Sequence, residues 1–484
     1  MTNDQDINER KTRQNIVKNL QQQGIDPYPS QYTRSHQIDE VLLLQLGTKN
    51  IKVAGRIMTI RIMGKLAFAN LQDGSGTIQI AFKQDTLGKE EFKFIKNLNR
   101  GDFIGVSGKL FKTQKGELTI EVNKYKLLTK ALRPLPEKWH GLKDQELRFR
   151  KRYLDLITNP ETRKLFISRS KFIKNVRQYL DDKKFLEVEI PSLEAVPGGA
   201  DAQPFITHHE TLDIDLYLRI SLELHLKRLM IGGFEKVFEI GKVFRNEGMS
   251  TQHLQEFTML EFYSAYDDYN DLMKFVESFY VDIMKKTFGT LKCDFVGHKI
   301  DFKKPWEKVD YVQAIKKETG IDVVKASDEE IIDAIKKHNV KTDIKLGRGR
   351  LIDQLYKKVV RTKLIQPTFV INLPVSVSPL AKRSQENPDI AERMVVVVAG
   401  VEIGNGFSEL NDPQDQKQRF EEQVKLRKAG DKEAQMMDED FIEALEYGMP
   451  PTAGFGIGLD RLFMVMAGVD SIREVVLFPT MKEK

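Results

Sequence analysis

The chain has 484 residues, 40% apolar and 30% charged, with 76 Lys and Arg against 70 Asp and Glu for a net charge of +6. That length exceeds one ordinary core and implies several domains, and the composition excludes disordered and fibrous classes. The longest strongly apolar run, 394–401, is too short to span a membrane, and the polar start MTNDQDINERKTRQ with a single cysteine, Cys293, points away from export and disulfides, so a cytoplasmic protein is expected.

Residues 7–24, with Ile7, Val17 and Leu20 among Lys, Arg and Gln, predict a weakly amphipathic surface helix that stops before GIDPYP. From 51 to 128 the texture changes to five short segments: IKVAGRIMTIRI, LAFANLQD, GTIQIAF, DFIGVSGKLFKT and ELTIEVNKYKLL. Glycine-bearing turns separate them, with one helical stretch near 88–99, and this pattern predicts a small closed barrel of the kind that binds oligonucleotides. Residues 51–130 hold 15 Lys and Arg against 7 Asp and Glu, and 1–150 sum to +10, leaving −4 for the remainder. Contact with a polyanion and a solvated basic surface both account for such a surplus.

ALRPLPEKWHG, with Pro134 and Pro136, predicts a stiff linker, and a second domain begins at RKRYLDL. A helix is predicted over 161–184, then the strand FLEVEIP, closed by Pro191. Further strands are predicted at 203–207, 215–220, 237–245, 256–263, 368–372, 393–403 and 453–457, several joined by local turns. The natural reading is an α+β domain, a mostly antiparallel sheet flanked by helices. The polar, helix-rich stretch 265–362 reads as an insertion.

Neither common phosphate-binding signature, G-x-x-x-x-G-K-[ST] or G-x-G-x-x-G between strand and helix, is present. In VFEIGKVFRNE, period-two alternation puts Arg245 and Glu247 on one face of a strand, and in EFTMLEFY it groups Phe257, Met259, Glu261 and Tyr263. His253 lies in the loop between them. This is a polar, aromatic platform or the solvated face of an edge hairpin. In PTAGFGIGLDRLFMVMAG the alternating Gly454, Gly456 and Gly458 leave a strand face bare for a flat ligand, unless they serve only packing. Arg461 then falls in the first turn of a helix, which suits a phosphate. MVVVVAGVEIGNGFSELND reads as a buried strand ending at Glu402, with a bend at Gly404 and Gly406. If a helix starts there, Asn405 and Glu409 share a face. Glu402 and Glu409 are candidates for a metal and a charged substrate, with structural salt bridges as the alternative.

In order and spacing these elements resemble the three signature motifs of class II aminoacyl-tRNA synthetases: FLEVEIP, then FRNE…H…EF, then GFGIGLDR. The segments TKALRPLPEKWHGLKDQELRFRKRYLDLI, PGGADAQPFITHH, EIGNGFSELNDP and MPPTAGFGIGLDR resemble the lysyl-tRNA synthetase family, bacterial-type, over nearly the whole chain. The resemblance implies an OB-fold anticodon-binding domain over 1–143 and a class II catalytic domain over 144–484, working as a homodimer. It implies a ligase that joins L-lysine to ATP and passes it to tRNA(Lys). Arg245, Glu247, His253, Phe257, Glu402 and Arg461 would then bind ATP, with Arg245 and Arg461 catalytic and Glu402 on Mg²⁺. Gly199, Glu223, Glu261, Tyr263, Asn405 and Glu409 would bind lysine, and Arg61, Phe68, Gln79 and Glu117 the anticodon. Val395 stands where the family usually has a second acidic metal ligand, Ser376 replaces a usual acid, and Leu222 and His225 flank Glu223 in place of Pro and Tyr. Fewer tightly held ions are therefore expected. Alternatives are a silent RNA-binding paralogue and a related ligase for another amino acid.

Overall fold

The computed structural model describes residues 3–136, 142, 144–344 and 346–483, in two compact units, Met1–Leu142 and Lys143–Lys484. Residues 137–141 of the predicted linker lie outside the described residues.

The first unit opens with helix α1 (Asn3–Gln22) and continues into strands β1 (Ile51–Met63), β2 (Leu66–Gln72), β3 (Thr77–Lys83), β4 (Phe103–Lys112) and β5 (Leu118–Thr129). The strands close into a barrel in the order β1-β2-β3-β5-β4. Alternate residues point inward, so Ile51, Val53, Ala67, Ala69, Ile78, Ile80, Ile120 and Val122 fill the interior. Against expectation, α1 is more than a surface helix. Leu20 joins the barrel core, and buried Arg13 donates to the carbonyls of Arg100, Ala131 and Arg133.

The second unit is built on an eight-stranded sheet. In chain order its elements include α2 (Pro160–Asp182), β6 (Leu186–Glu187), α3 (Glu223–Ile231), β7 (Lys236–Phe244), β8 (Glu256–Ala265) and α4 (Tyr269–Phe288). Then follow β9 (Glu307–Asp310), α5 (Tyr311–Thr319), α6 (Asp328–Lys337), α7 (Arg348–Val359), β10 (Thr368–Pro374), β11 (Ile390–Val398), β12 (Val401–Ser408), β13 (Thr452–Gly458) and α8 (Leu459–Met466). The strand order is β9-β10-β11-β12-β13-β8-β7-β6, antiparallel except for the two edge pairs. One face carries the main core, where α2, α4 and α8 pack Phe172, Val176, Phe279, Tyr280 and Phe463 onto Leu260, Phe262, Phe455 and Ile457. The opposite face holds the cavity described below.

Four local expectations change. The run 393–403 is two strands, because Ala399 (φ +47°) and Gly400 (φ +72°) turn the chain back between β11 and β12. Glu402 therefore starts a strand, and Asn405 lies within one where a helix was considered. β7 ends at Phe244, so Arg245 and Glu247 stand just past it, although the Arg245 amide still donates to the Gln255 carbonyl at 2.8 Å. The strand predicted at 203–207 forms later, over Ile206–His209, paired with Ile214–Leu218 in a separate small sheet. The stretch 265–362 divides: α4 buries Leu272, Val276, Phe279 and Ile283 in the main core, and β9 joins the sheet. Only α5, α6 and α7 form a cluster of their own, seated on Val370, Val395 and Val397.

Candidate active site

Sheet register gathers the predicted residues. Glu261 on β8 lies opposite Gly456 on β13, which lies opposite Asn405 on β12, which lies opposite Val395 on β11. Two residues along, Tyr263, Gly454, Phe407 and Arg393 form a second row. Paired residues share a face, and all of these but Val395 line one cavity. Its volume is about 290 Å³, and Gly199, Glu223, Arg245, Glu247, His253, Phe257, Glu261, Tyr263, Glu402, Asn405, Glu409 and Arg461 all line it. Of the alternating glycines, Gly454 serves packing, the alternative the sequence left open. A Cβ on Gly454 would fall 2.2 Å from Glu409 Oε1 and 2.4 Å from the Tyr263 ring, so that glycine makes room for protein side chains. Gly199 (φ +82°) is likewise required, since a Cβ there would meet Glu223 Cβ at 2.8 Å and Ser221 Oγ at 2.9 Å.

One end of the cavity is acidic. Glu223, Glu261 and Glu409 are all buried, at 6%, 2% and 1% exposure. Glu261 Oε1 accepts from Ser221 Oγ (2.7 Å) and the Leu222 amide (2.9 Å), and Oε2 accepts from the Tyr263 hydroxyl (3.0 Å). The Tyr263 hydroxyl is thus tied to Glu261. Burial, then the neighbouring Glu223, pushes the Glu261 carboxyl up to about 7. Burial also raises Glu409 well above the ordinary carboxyl range, and raises Glu223, against the pull of Lys227. Lys227, one turn after Glu223 on α3, is fully buried, and its ammonium lies 2.5 Å from both Glu223 Oε1 and Glu409 Oε2.

The other end is cationic and aromatic. The Arg245 guanidinium lies 5.2 Å from the centre of the Phe257 ring and its Nε donates to the Ile220 carbonyl. Arg461 Nη1 donates to the Glu402 carbonyl at 3.1 Å. At the mouth His253 is pushed down to about 4, first by partial desolvation and then by Arg461, Arg361, Lys357 and Arg245. Four cations around a neutral imidazole make this end suited to a polyphosphate. Partial burial raises the Glu247 carboxyl, with Arg245 opposing.

Glu402 lines the cavity beside Arg461 and is a carboxylate that chemistry would offer to a magnesium ion. Val395 is buried in the apolar cluster of α5–α7, and among the described residues no three His, Cys, Asp or Glu side chains converge on a metal position. One carboxylate still fits an ion that arrives on phosphate oxygens and keeps most of its waters.

Residues missed by the sequence reading complete the walls. Arg393 Nε donates to Asn405 Oδ1 at 2.8 Å and so orients that amide, while Ser221 and Asp201 also line the cavity. An arginine within IAERMVVVV, on the same strand face as Val395, was the available signal. Lys227 had one too, since a Glu and a Lys four apart on a helix are neighbours. Cys293, given no role, has its thiol raised to about 11 by burial and Asp294 and donates to the Val465 carbonyl.

On the barrel, Arg61 lies opposite Phe68, and Phe68 opposite Ala81, two residues from Gln79. Gln79 Nε2 donates to Glu117 Oε2 at 2.7 Å, so the four predicted residues share one outer surface. Phe111, missed earlier, joins them: it pairs with Thr119, which pairs with Gln79, and the Lys83 ammonium lies 5.3 Å from its ring.

Two family models match the chain: an OB-fold nucleic acid binding domain over 51–128, and the tRNA synthetases class II (D, K and N) over 144–482. Among curated proteins the chain is 50% identical to the lysine–tRNA ligase of Syntrophomonas wolfei, over 98% of this chain and 97% of that protein. It is 50% identical to that of Carboxydothermus hydrogenoformans over 99% of each, and 48% identical to that of Bacillus subtilis over 100% of this chain and 99% of that protein. With an OB barrel, a mostly antiparallel sheet and a cavity charged oppositely at its two ends, the chain belongs to the class II tRNA synthetases, in the lysyl-tRNA synthetase family.

Proposed function

We infer that the chain is an ATP-dependent lysine–tRNA ligase, which activates L-lysine as lysyl-adenylate and transfers it to the 3′ end of tRNA(Lys). The observation that carries the choice of lysine is the acidic end: of its three buried carboxylates Glu223 and Glu409 share the one Lys227 ammonium, and Glu409 Oε1 meets no donor among the described residues. A substrate with a side-chain ammonium supplies the missing charge, whereas a neutral or acidic amino acid leaves it unmet.

The residues divide the work by charge. Glu223, Glu261 and the Gly199 backbone would hold the α-amino group, Glu409 and Tyr263 the side-chain ammonium, and Asn405, oriented by Arg393, the carboxylate end. Arg245 would bring that carboxylate to the α-phosphate of ATP and neutralise charge as the attack proceeds in line. A carboxylate oxygen bonds to the α-phosphorus, the bond to the bridging oxygen breaks, and pyrophosphate leaves. Phe257 would stack on the adenine, Glu247 would accept from its amino group, and His253 and Arg461 would hold the outer phosphates. Mg²⁺ bound with the nucleotide supplies further charge neutralisation, and Glu402 is the side chain that would hold it. In the second step a ribose hydroxyl of the tRNA end attacks the lysyl carbonyl and AMP leaves. Such chemistry rests on positioning rather than on a strong acid or base.

The barrel surface suits the anticodon loop, with Phe68 stacking a base and Arg61, Gln79 and Glu117 reading base edges. A homodimer is supported by the outer face of α2, where Ile167 is 60% exposed beside a groove lined by Phe166, Ile173 and Leu477. We place the enzyme in the cytoplasm; no helix of the described residues is long and apolar enough to cross a membrane. Amino-acid-dependent exchange of pyrophosphate into ATP, run with each of the twenty amino acids, tests the reading. Exchange with lysine alone is expected. Exchange with another amino acid would overturn the specificity, and none at any Mg²⁺ concentration would favour a silent RNA-binding paralogue.

A further inference from the structure

Lys227 stands one layer behind the cavity. Glu223 and Glu409 form part of the wall, and the Lys227 ammonium touches both from the protein side, 2.5 Å from each, with the Phe407 ring 5.3 Å away. All three ionic side chains are nine-tenths or more buried. Two carboxylates brought to one cation at this depth repel each other, and without that cation the pair would take up a proton and cease to be a pair of acceptors. The contact also sets orientation. It engages Glu409 through Oε2 and leaves Oε1 free on the side of Gly454, where the absence of a Cβ gives it room. One ammonium shared between two ionised carboxylates leaves a single negative charge for a cationic side chain to meet.

We propose that Lys227 is a positioning residue for amino-acid selection: its ammonium, shared by Glu223 and Glu409, holds the two carboxylates together and aims the free oxygen of Glu409 at the side-chain ammonium of a cationic amino acid. The inference rests on the reading of this cavity as the lysine site. It makes the enzyme's selectivity depend on a cation that does not touch the substrate.

The test is Lys227→Met in the full chain, a near-isosteric change that removes only the charge, assayed by pyrophosphate exchange. The KM for lysine is expected to rise about 30-fold or more, while kcat at saturating lysine and the KM for ATP stay within about threefold. The acid limb of kcat/KM for lysine should move up by about one pH unit, and Lys227→Arg should recover most of the affinity. An unchanged lysine KM and acid limb would overturn the proposal, as would parallel losses in kcat, KM for ATP and KM for lysine, the mark of general damage. Should Lys227→Met not fold, Lys227→Met with Glu409→Gln carries the test, because it removes a carboxylate along with the ammonium. Its lysine KM should match that of Glu409→Gln alone, and a further rise of about tenfold would overturn the proposal. A wild type silent with lysine overturns the ligase reading and this inference together. An active wild type with an unaltered Lys227→Met overturns this inference alone.

Discussion

Glu261 accepts hydrogen bonds from Ser221, the Leu222 amide and Tyr263, yet burial and Glu223 push its carboxyl up to about 7. An unfolded Glu titrates near 4.3, so between about 4.3 and 7 the folded chain holds a proton that the unfolded chain has lost. Stability contributed by that proton is complete below the lower value and is lost as pH rises through the upper one, a change of roughly 4 kcal/mol. Two outcomes follow. Thermal unfolding of the ligand-free chain should show Glu261→Gln gaining on the wild type as pH rises to about 8 and losing that advantage near pH 5. Lysine binding needs the ionised form, so wild-type affinity measured by calorimetry should fall as pH drops below about 7, and a flat profile would contradict the site. If Glu261 holds the substrate ammonium as proposed, stability and function oppose each other here, because the charge that costs the empty protein is the charge that binding would use.

At this scale the cavity residues were readable, since Arg, Glu, Phe and His in strand-rich, otherwise apolar segments must be explained by something other than a core. Lys227 was not. A lysine in ELHLKRLMI is unremarkable until Glu409, far along the chain, is brought to it by the register of β12 and the placement of α3.

Among the elements, β12 shows how a reading can succeed through the wrong geometry. Asn405 and Glu409 were put on one face by a helix, and they share a face because period two on an extended chain also repeats at four. The short Ala399–Gly400 turn hides inside an apolar run, so nothing in the hydrophobic pattern separates β11 from β12. The barrel was legible for the opposite reason: its strands are short, evenly spaced and punctuated by glycine turns. What the pattern did not show was lateral neighbourhood, so Phe68 was recognised and Phe111 was not. Both rings are half-buried on the same outer surface. Removing one stacking ring costs about 1–3 kcal/mol, so Phe68→Ala and Phe111→Ala should each raise the KM for tRNA about 10- to 100-fold in aminoacylation. Lysine-dependent pyrophosphate exchange without tRNA should be unchanged, and a loss there would deny the barrel a purely RNA-binding role.

For the molecule as a whole, the charge asymmetry follows the division into units: the basic surplus falls in the barrel and the acidic balance in the catalytic unit. The proposed dimer would cover exposed apolar residues such as Ile167, which forms no part of the catalytic unit's interior clusters. Light scattering should give twice the chain mass for the wild type and a shift toward monomer for Ile167→Asp, and a monomeric wild type would remove the dimer.

Domain order, the barrel, the mainly antiparallel sheet and the types of residue that line the cavity all follow from the chain read alone. They are encoded in short-range periods, turn residues and motifs a few residues long. Tertiary structure alone settles which distant side chains meet: the rows across β8, β13, β12 and β11, the room Gly454 leaves for Glu409, the burial that lifts Glu261, and the Lys227 bridge. Those depend on strand register and helix packing, and a burial-dependent charge has no value until the low-dielectric surroundings exist.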